Sequence, residues 1–191
     1  MAACGQMGRY FDLPTGIAAG MADAKLPDAQ SGYEKGYTNV LAGHSGANLI
    51  YEAAGMHGSL LGCCLESYVI DNDMLGAINR TIRGIEITEE SLSVETIRDV
   101  CIDGPSHFLG HDQTMLLMQR DYVYPEVGDR LSPKEWNEKD KPDLLEVARS
   151  KVAQILSSPR PDHLSLETDR KIRDRFPVRL SEQTTGKVET A

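Results

Sequence analysis

The chain has 191 residues, 40% of them hydrophobic and 26% charged, a balance that places it among water-soluble globular proteins. Its formal net charge of −9 argues against a nucleic-acid surface, which needs clustered positive charge for the phosphates, and suits a cationic ligand or simple solubility. It has neither an apolar run of about 18 residues nor a charged-then-apolar leader, so no membrane span or signal peptide is indicated and a bacterial or archaeal cytoplasm is the expected location.

In chain order, Ala2, Ala3, Met7 and Tyr10 have helical spacing and read as the last turns of a helix. Leu13 to Ala18 reads as a short strand, and Ala19 to Lys25 as a small-residue loop at its C-terminal end. Pro27 suits the first turn of the next helix, Asp28 complements its dipole, and Ala29, Tyr33, Tyr37, Val40 and Leu41 predict its buried face up to a stop near Gly43. Ala47 to Ala54 reads as a second strand running into Gly55-Met56-His57-Gly58. This is the rhythm of successive β/α units in a parallel sheet, whose loops carry the chemistry.

Ser59 to Cys64 is a further short strand or a buried loop. Leu65, Val69, Ile70, Met74, Ile78 and Ile82 trace a helix face that ends at Gly84. Glu66, Asp71 and Asp73 complement that helix's dipole, or Glu66 faces the mouth of the site. Thr88 to Ser91 is a helix start, with Leu92, Thr96 and Val100 on the inner side. Gly104 to Asp112 is a turn into a helix through Met118; His107 and His111 read as capping and loop-fixing groups rather than metal ligands. From Tyr122 the chain predicts an extended arm packed through Tyr122, Tyr124 and Trp136. An amphipathic helix on Leu144, Leu145, Ala148, Val152 and Ile155 follows, then a linker at 157–161, a charged helix from Leu164 to Arg175, and a disordered tail from Ser181. Cys4, Cys63, Cys64 and Cys101 lack zinc or redox spacing and are expected as reduced, buried thiols.

The string GMADAKLPDAQSGYEKGYTNVLAGHSGANLIYEAAG, then LESYVIDNDMLGAINRTIRGIEI and GPSHFLGHDQTM, resembles the C-terminal part of the trimethylamine methyltransferase family, over residue 1 to about 155. The resemblance implies an α/β fold, the C-terminal part of a TIM (β/α)8 barrel with a C-terminal helical extension. At 191 residues the chain is short of the roughly 250 of a complete barrel, so it is expected to start inside a longer one. The expected domains are 1–121 (partial barrel), 122–157 (arm and helix packed on it) and 158–191 (linker, weak helix and tail).

The family further implies a methyltransferase of one-carbon metabolism, as in methanogenesis. It would move a methyl group from trimethylamine or a betaine-like amine to the Co(I) corrinoid of a cognate corrinoid protein. No cofactor would be bound tightly by this chain, and no metal, nucleic acid or membrane is implied; homo-oligomerisation is left open. Met21 falls about where trimethylamine-demethylating members carry pyrrolysine. The sequence contains none, which favours the non-pyrrolysine branch, with members acting on quaternary amines such as glycine betaine. His57 and Met21 are the catalytic candidates, and Tyr51, Glu52, Glu66 and Asp23 the substrate contacts; Asp23 pairs with Lys25 or lines the mouth. For His57 the alternative is a hydrogen bond to a neighbouring carbonyl. Strand alternation keeps Tyr51 and Glu52 from both pointing inward. Two other readings stand beside the enzyme: a truncated non-catalytic fragment and a corrinoid-protein-binding module.

Overall fold

The structure, a computed structural model, describes residues 1–158 and 164–179. Met1–Lys151 forms one compact unit and Val152–Ala191 a second. In the first unit α1 (Ala2–Tyr10) leads into β1 (Gly16–Ala18), α2 (Ala29–His44) and β2 (Leu49–Tyr51). β1 and β2 pair in parallel, with Ile17 opposite Ile50, so β1-α2-β2 is one crossover unit, as the alternating pattern predicts. A hairpin follows, β3 (Met56–His57) antiparallel to β4 (Gly62–Cys63), then α3 (Leu65–Arg83). The architecture is mixed α/β, with one parallel and one antiparallel two-stranded sheet among the described residues.

The core is made of small residues. Ile17, Ala19 and Ala42 pack with Ala47 and Ile50 between β1, β2 and α2. Gly43 lets α2 approach α3 closely, since a Cβ there would lie 2.2 Å from Ile82 Cδ1.

The buried face of α2 is not the expected one. Tyr33, Tyr37 and Leu41 are exposed, and the two tyrosine rings stack on each other at 6.5 Å. Ser31, Lys35, Asn39, Ala42 and Gly43 are buried instead. The polar stripe wins because α3 supplies a partner for its lysine. The helix also starts later than Pro27: Asp28 is the N-cap, accepting from Ser31 N at 3.1 Å. On α3, Ile78 is buried as expected, whereas Leu65 and Ile82 are exposed.

Asp71 and Asp73 do more than offset a dipole. Asp71 is buried, and Asp73 accepts from the backbone N–H groups of Glu126, Val127 and Gly128 at 2.9, 2.8 and 3.0 Å. That carboxylate, with Val127 buried beside it, fixes the arm; Tyr122 and Tyr124 are exposed, contrary to expectation. The cysteines were also misjudged, since Cys4, Cys63 and Cys101 are exposed and Cys64 is half-buried.

Beyond Gly84, Thr88 caps α4 (Glu89–Leu92) in a capping box with Ser91, and a left-handed Ser93 separates it from α5 (Val94–Cys101). Val100 is buried, but Leu92 is exposed. His111 caps α6 (Asp112–Asp121) by accepting from Gln113 N at 3.2 Å, the capping role its position predicts. Arg83 binds Asp121 at 2.7 Å and joins the ends of α3 and α6. Ser132 and Glu135 form a capping box at α7 (Pro133–Glu138). α8 (Leu144–Ser157) follows, with Ala148 buried, and in the second unit Ser165 caps α9 (Leu166–Arg175). The expected linker lies largely, and the expected disordered tail wholly, outside the described residues. No described helix is long and apolar enough to cross a membrane.

Candidate functional site

The loops that follow β1 and β2 meet at the C-terminal end of the parallel pair. Ala22 N donates to Met56 O at 3.3 Å, Gly58 N to Ala24 O at 3.0 Å and Ser59 N to Ala22 O at 3.1 Å, while the Ser59 hydroxyl donates to the Asp23 carboxylate. Gly20 makes this contact feasible: its φ is +85°, and a Cβ would stand 2.3 Å from the carbonyl oxygen of Ala53. Glu34 of α2 holds the first loop by accepting from Asp23 N at 2.7 Å and Ala24 N at 3.2 Å. The Gln30 amide and these two N–H groups hold its carboxyl below the usual range, against a smaller opposing effect of burial.

Two cavities open on these loops. One, of about 670 Å³, is lined by Lys25, Leu26, His57, Leu61, Glu66, Arg149 and neighbouring residues, Cys64 among them. The other, of about 320 Å³, is lined by Met21, Asp23, Glu34, Tyr37, Ser59 and Leu60. The structure therefore places His57 and Glu66 on the larger cavity and Met21 and Asp23 on the smaller. Tyr51 and Glu52 line neither. The Tyr51 ring lies beside Gly16 on the adjacent strand, and Glu52 takes a left-handed φ of +65° where β2 ends.

Behind the larger cavity lies a buried polar chain. Lys35, with no exposed side-chain surface, donates to Asp71 Oδ2 at 2.7 Å, and the same oxygen accepts from Gly55 N at 2.7 Å. Lys35 Nζ is 3.4 Å from His57 Nε2, which is also 2.6 Å from Ser67 Oγ. Cys64, the N-cap of α3, donates its thiol to Ser67 at 3.1 Å. Asn39 Nδ2 donates to Ala53 O at 3.1 Å, fixing the end of β2. His57 itself is 6% exposed, and its Nδ1 has no partner among the described residues. The carbonyl contact considered for it is not observed; its recorded partners are side chains.

Lys35, Ser67 and Asp71 were missed by sequence reasoning. The available signal was the four-residue spacing of Ser31-Lys35-Asn39 and of Ser67-Asp71, a polar stripe on each helix.

Paired loops with cavities at the C-terminal end of parallel strands are where α/β proteins commonly hold small molecules. The family model described as trimethylamine methyltransferase (MTTB) matches residues 1–183, and the chain belongs to that family. It is 37% identical over 158 residues to trimethylamine methyltransferase MttB of Methanosarcina thermophila, covering 82% of this chain and 32% of that protein. It is 31% identical over 159 residues to MttB of Desulfitobacterium hafniense (strain DSM 10664 / DCB-2), covering 83% and 31%. To the glycine betaine methyltransferase of Desulfitobacterium hafniense (strain Y51) it is 28% identical over 173 residues, covering 90% and 35%. The chain thus spans about a third of the length of the curated relatives it matches.

Proposed function

We propose that the chain serves methyl transfer from a tertiary or quaternary methylamine to the Co(I) corrinoid of a separate, cognate protein. Family membership supports the reaction class, and one observation carries the reading to these residues. The two βα loops are hydrogen-bonded to each other around cavities whose walls include His57, Glu66, Met21 and Asp23.

In such a transfer the N–CH3 bond breaks as carbon is attacked, and the bonding pair stays on nitrogen. The corrinoid supplies the nucleophile. A cavity of about 670 Å³ has the size of a small-molecule site, so it is read as the substrate's, with the corrinoid remaining on its carrier. The chain's share is then orientation, exclusion of water and stabilisation of a cationic substrate. Glu66 provides negative charge near the ammonium and His57 fixes the substrate by a hydrogen bond, while Met21 and Asp23 line the smaller cavity. The absence of pyrrolysine from the sequence favours a quaternary amine over trimethylamine.

The test is methylation of a Co(I) corrinoid, followed by its absorbance, with a panel of tertiary and quaternary amines. This chain and an N-terminally extended version are compared. Methylation by the extended version with one of these amines is expected; none with any of them, under conditions where a relative is active, overturns the reading. The short span relative to the relatives favours a second reading, a module that binds the corrinoid protein without turnover. Pull-down of that protein without methyl transfer by either version would support it.

A further inference from the structure

The proton on the His57 ring is fixed by what surrounds Nε2. An ammonium has only donors, so Lys35 Nζ, 3.4 Å away, must meet a lone pair there; an Nε2–H would set two donors against each other. Asp71 keeps that ammonium in place at 2.7 Å. Ser67 Oγ, 2.6 Å from the same nitrogen, accepts the Cys64 thiol proton and can donate its own to Nε2, with Cys64 Sγ itself 3.9 Å from that nitrogen. The ammonium therefore assigns Nε2 as acceptor and Nδ1 as the protonated nitrogen, and the Ser67 hydroxyl can reinforce that assignment. Nδ1 is buried without a partner, on a residue that lines the larger cavity. A buried donor left unmatched needs an explanation, and a ligand is the natural one.

The acids on that cavity are already engaged: Asp28 caps Ser31 N, and Glu66 lies 3.6 Å from Arg149. Lys25 lines the same wall. A ligand bringing an acceptor to His57 therefore has no protein carboxylate recorded in its place.

We propose that Lys35, held by Asp71, and Ser67 are positioning residues that lock His57 as the Nδ1–H tautomer. The cavity thereby offers a hydrogen-bond donor and selects ligands carrying a carboxylate or carbonyl oxygen. This rests on the reading of the cavity as the substrate's site, but its test needs no turnover, so loss of one reading is distinguishable from loss of the other.

The experiment is long-range 1H–15N NMR of the full chain labelled on its histidine rings, with His57 assigned from His57→Gln. The expected spectrum has the proton on Nδ1. Replacing the charged pair by Lys35→Met with Asp71→Leu lowers the ratio of Nδ1–H to Nε2–H by about tenfold or more, the scale of one lost charge-assisted hydrogen bond. Lys35→Arg retains the parent tautomer. Sodium acetate shifts the Nδ1 resonance, and tetramethylammonium chloride does not. An Nε2–H tautomer in the parent, an unchanged ratio in the folded double variant, or no response to acetate overturns the proposal. Should circular dichroism show the double variant unfolded, Ser67→Ala decides instead: a reduced Nδ1–H population supports the lock, and an unchanged one refutes it.

Discussion

Lys35 Nζ and Asp71 Oδ2 lie 2.7 Å apart, the lysine side chain fully enclosed and the aspartate 6% exposed. Such a pair gains Coulomb energy only after both charges leave water, so removing one partner strands the other. Lys35→Ala is expected to cost about 3–5 kcal/mol of unfolding free energy. Lys35→Met combined with Asp71→Leu should recover most of that loss. Urea denaturation followed by circular dichroism measures both, and a Lys35→Ala protein as stable as the parent would show that the pair is not buried.

Gly20 sits at φ +85° with its missing Cβ directed at the backbone of Ala53. Backbone cannot swing away as a long side chain can. Gly20→Ala should therefore cost about 1–2 kcal/mol for the left-handed conformation and about 1–3 more for the overlap. The second component separates the site of close approach from an ordinary turn. Gly110→Ala, at φ +84° with open space around it, should show only the first. The difference between the two variants in a chemical denaturation series is the observable.

Asp73 connects α3 to the arm through three backbone N–H groups. Burial raises its pKa, but these bonds and the nearby Arg130 charge outweigh that and hold the carboxyl below its ordinary range. A depressed folded pKa means that the stabilisation is fully present above the unfolded value, near about 3.9, and is lost as pH falls through the folded one. Asp73→Asn is expected to release the arm to limited proteolysis near Glu126 at neutral pH. Its stability should also decline less steeply than the parent's as pH drops below about 4. Parallel slopes for the two proteins would remove the carboxylate from the account.

The donor role assigned to His57 has a functional counterpart. In a family-length enzyme carrying these residues, His57→Ala should lower kcat/KM by at least about tenfold, the cost of one buried hydrogen bond to a charged group. His57→Asn should retain part of the activity, because its amide can replace a ring N–H. Equal loss in both variants would point to packing rather than to the donor.

The crossover unit was legible because it is written in local signals: two short apolar runs, small-residue loops after each, and a helix between them. The caps at Thr88 and His111 were equally local. The buried face of α2 was not, because Tyr33, Tyr37 and Leu41 carry the apolar period while Lys35 faces inward. A lysine reads as solvated until its partner is known, and Asp71 lies 36 residues away on another helix. His57 could be singled out from its flanking glycines, but the assignment of its proton required Lys35 and Ser67 in space. The arm misled for the opposite reason: Tyr122 and Tyr124 suggested aromatic packing, whereas both rings are exposed and three backbone N–H groups of the arm converge on the Asp73 carboxylate of α3.

One oxygen of Asp71 accepts from the Lys35 ammonium and from the main-chain N–H of Gly55. Deuterium uptake at that one amide is thus a spectator of the ion pair, readable without touching either charge. If a small molecule settling beside His57 tightens the hinge between β2 and β3, exchange at Gly55 slows even when no product is formed.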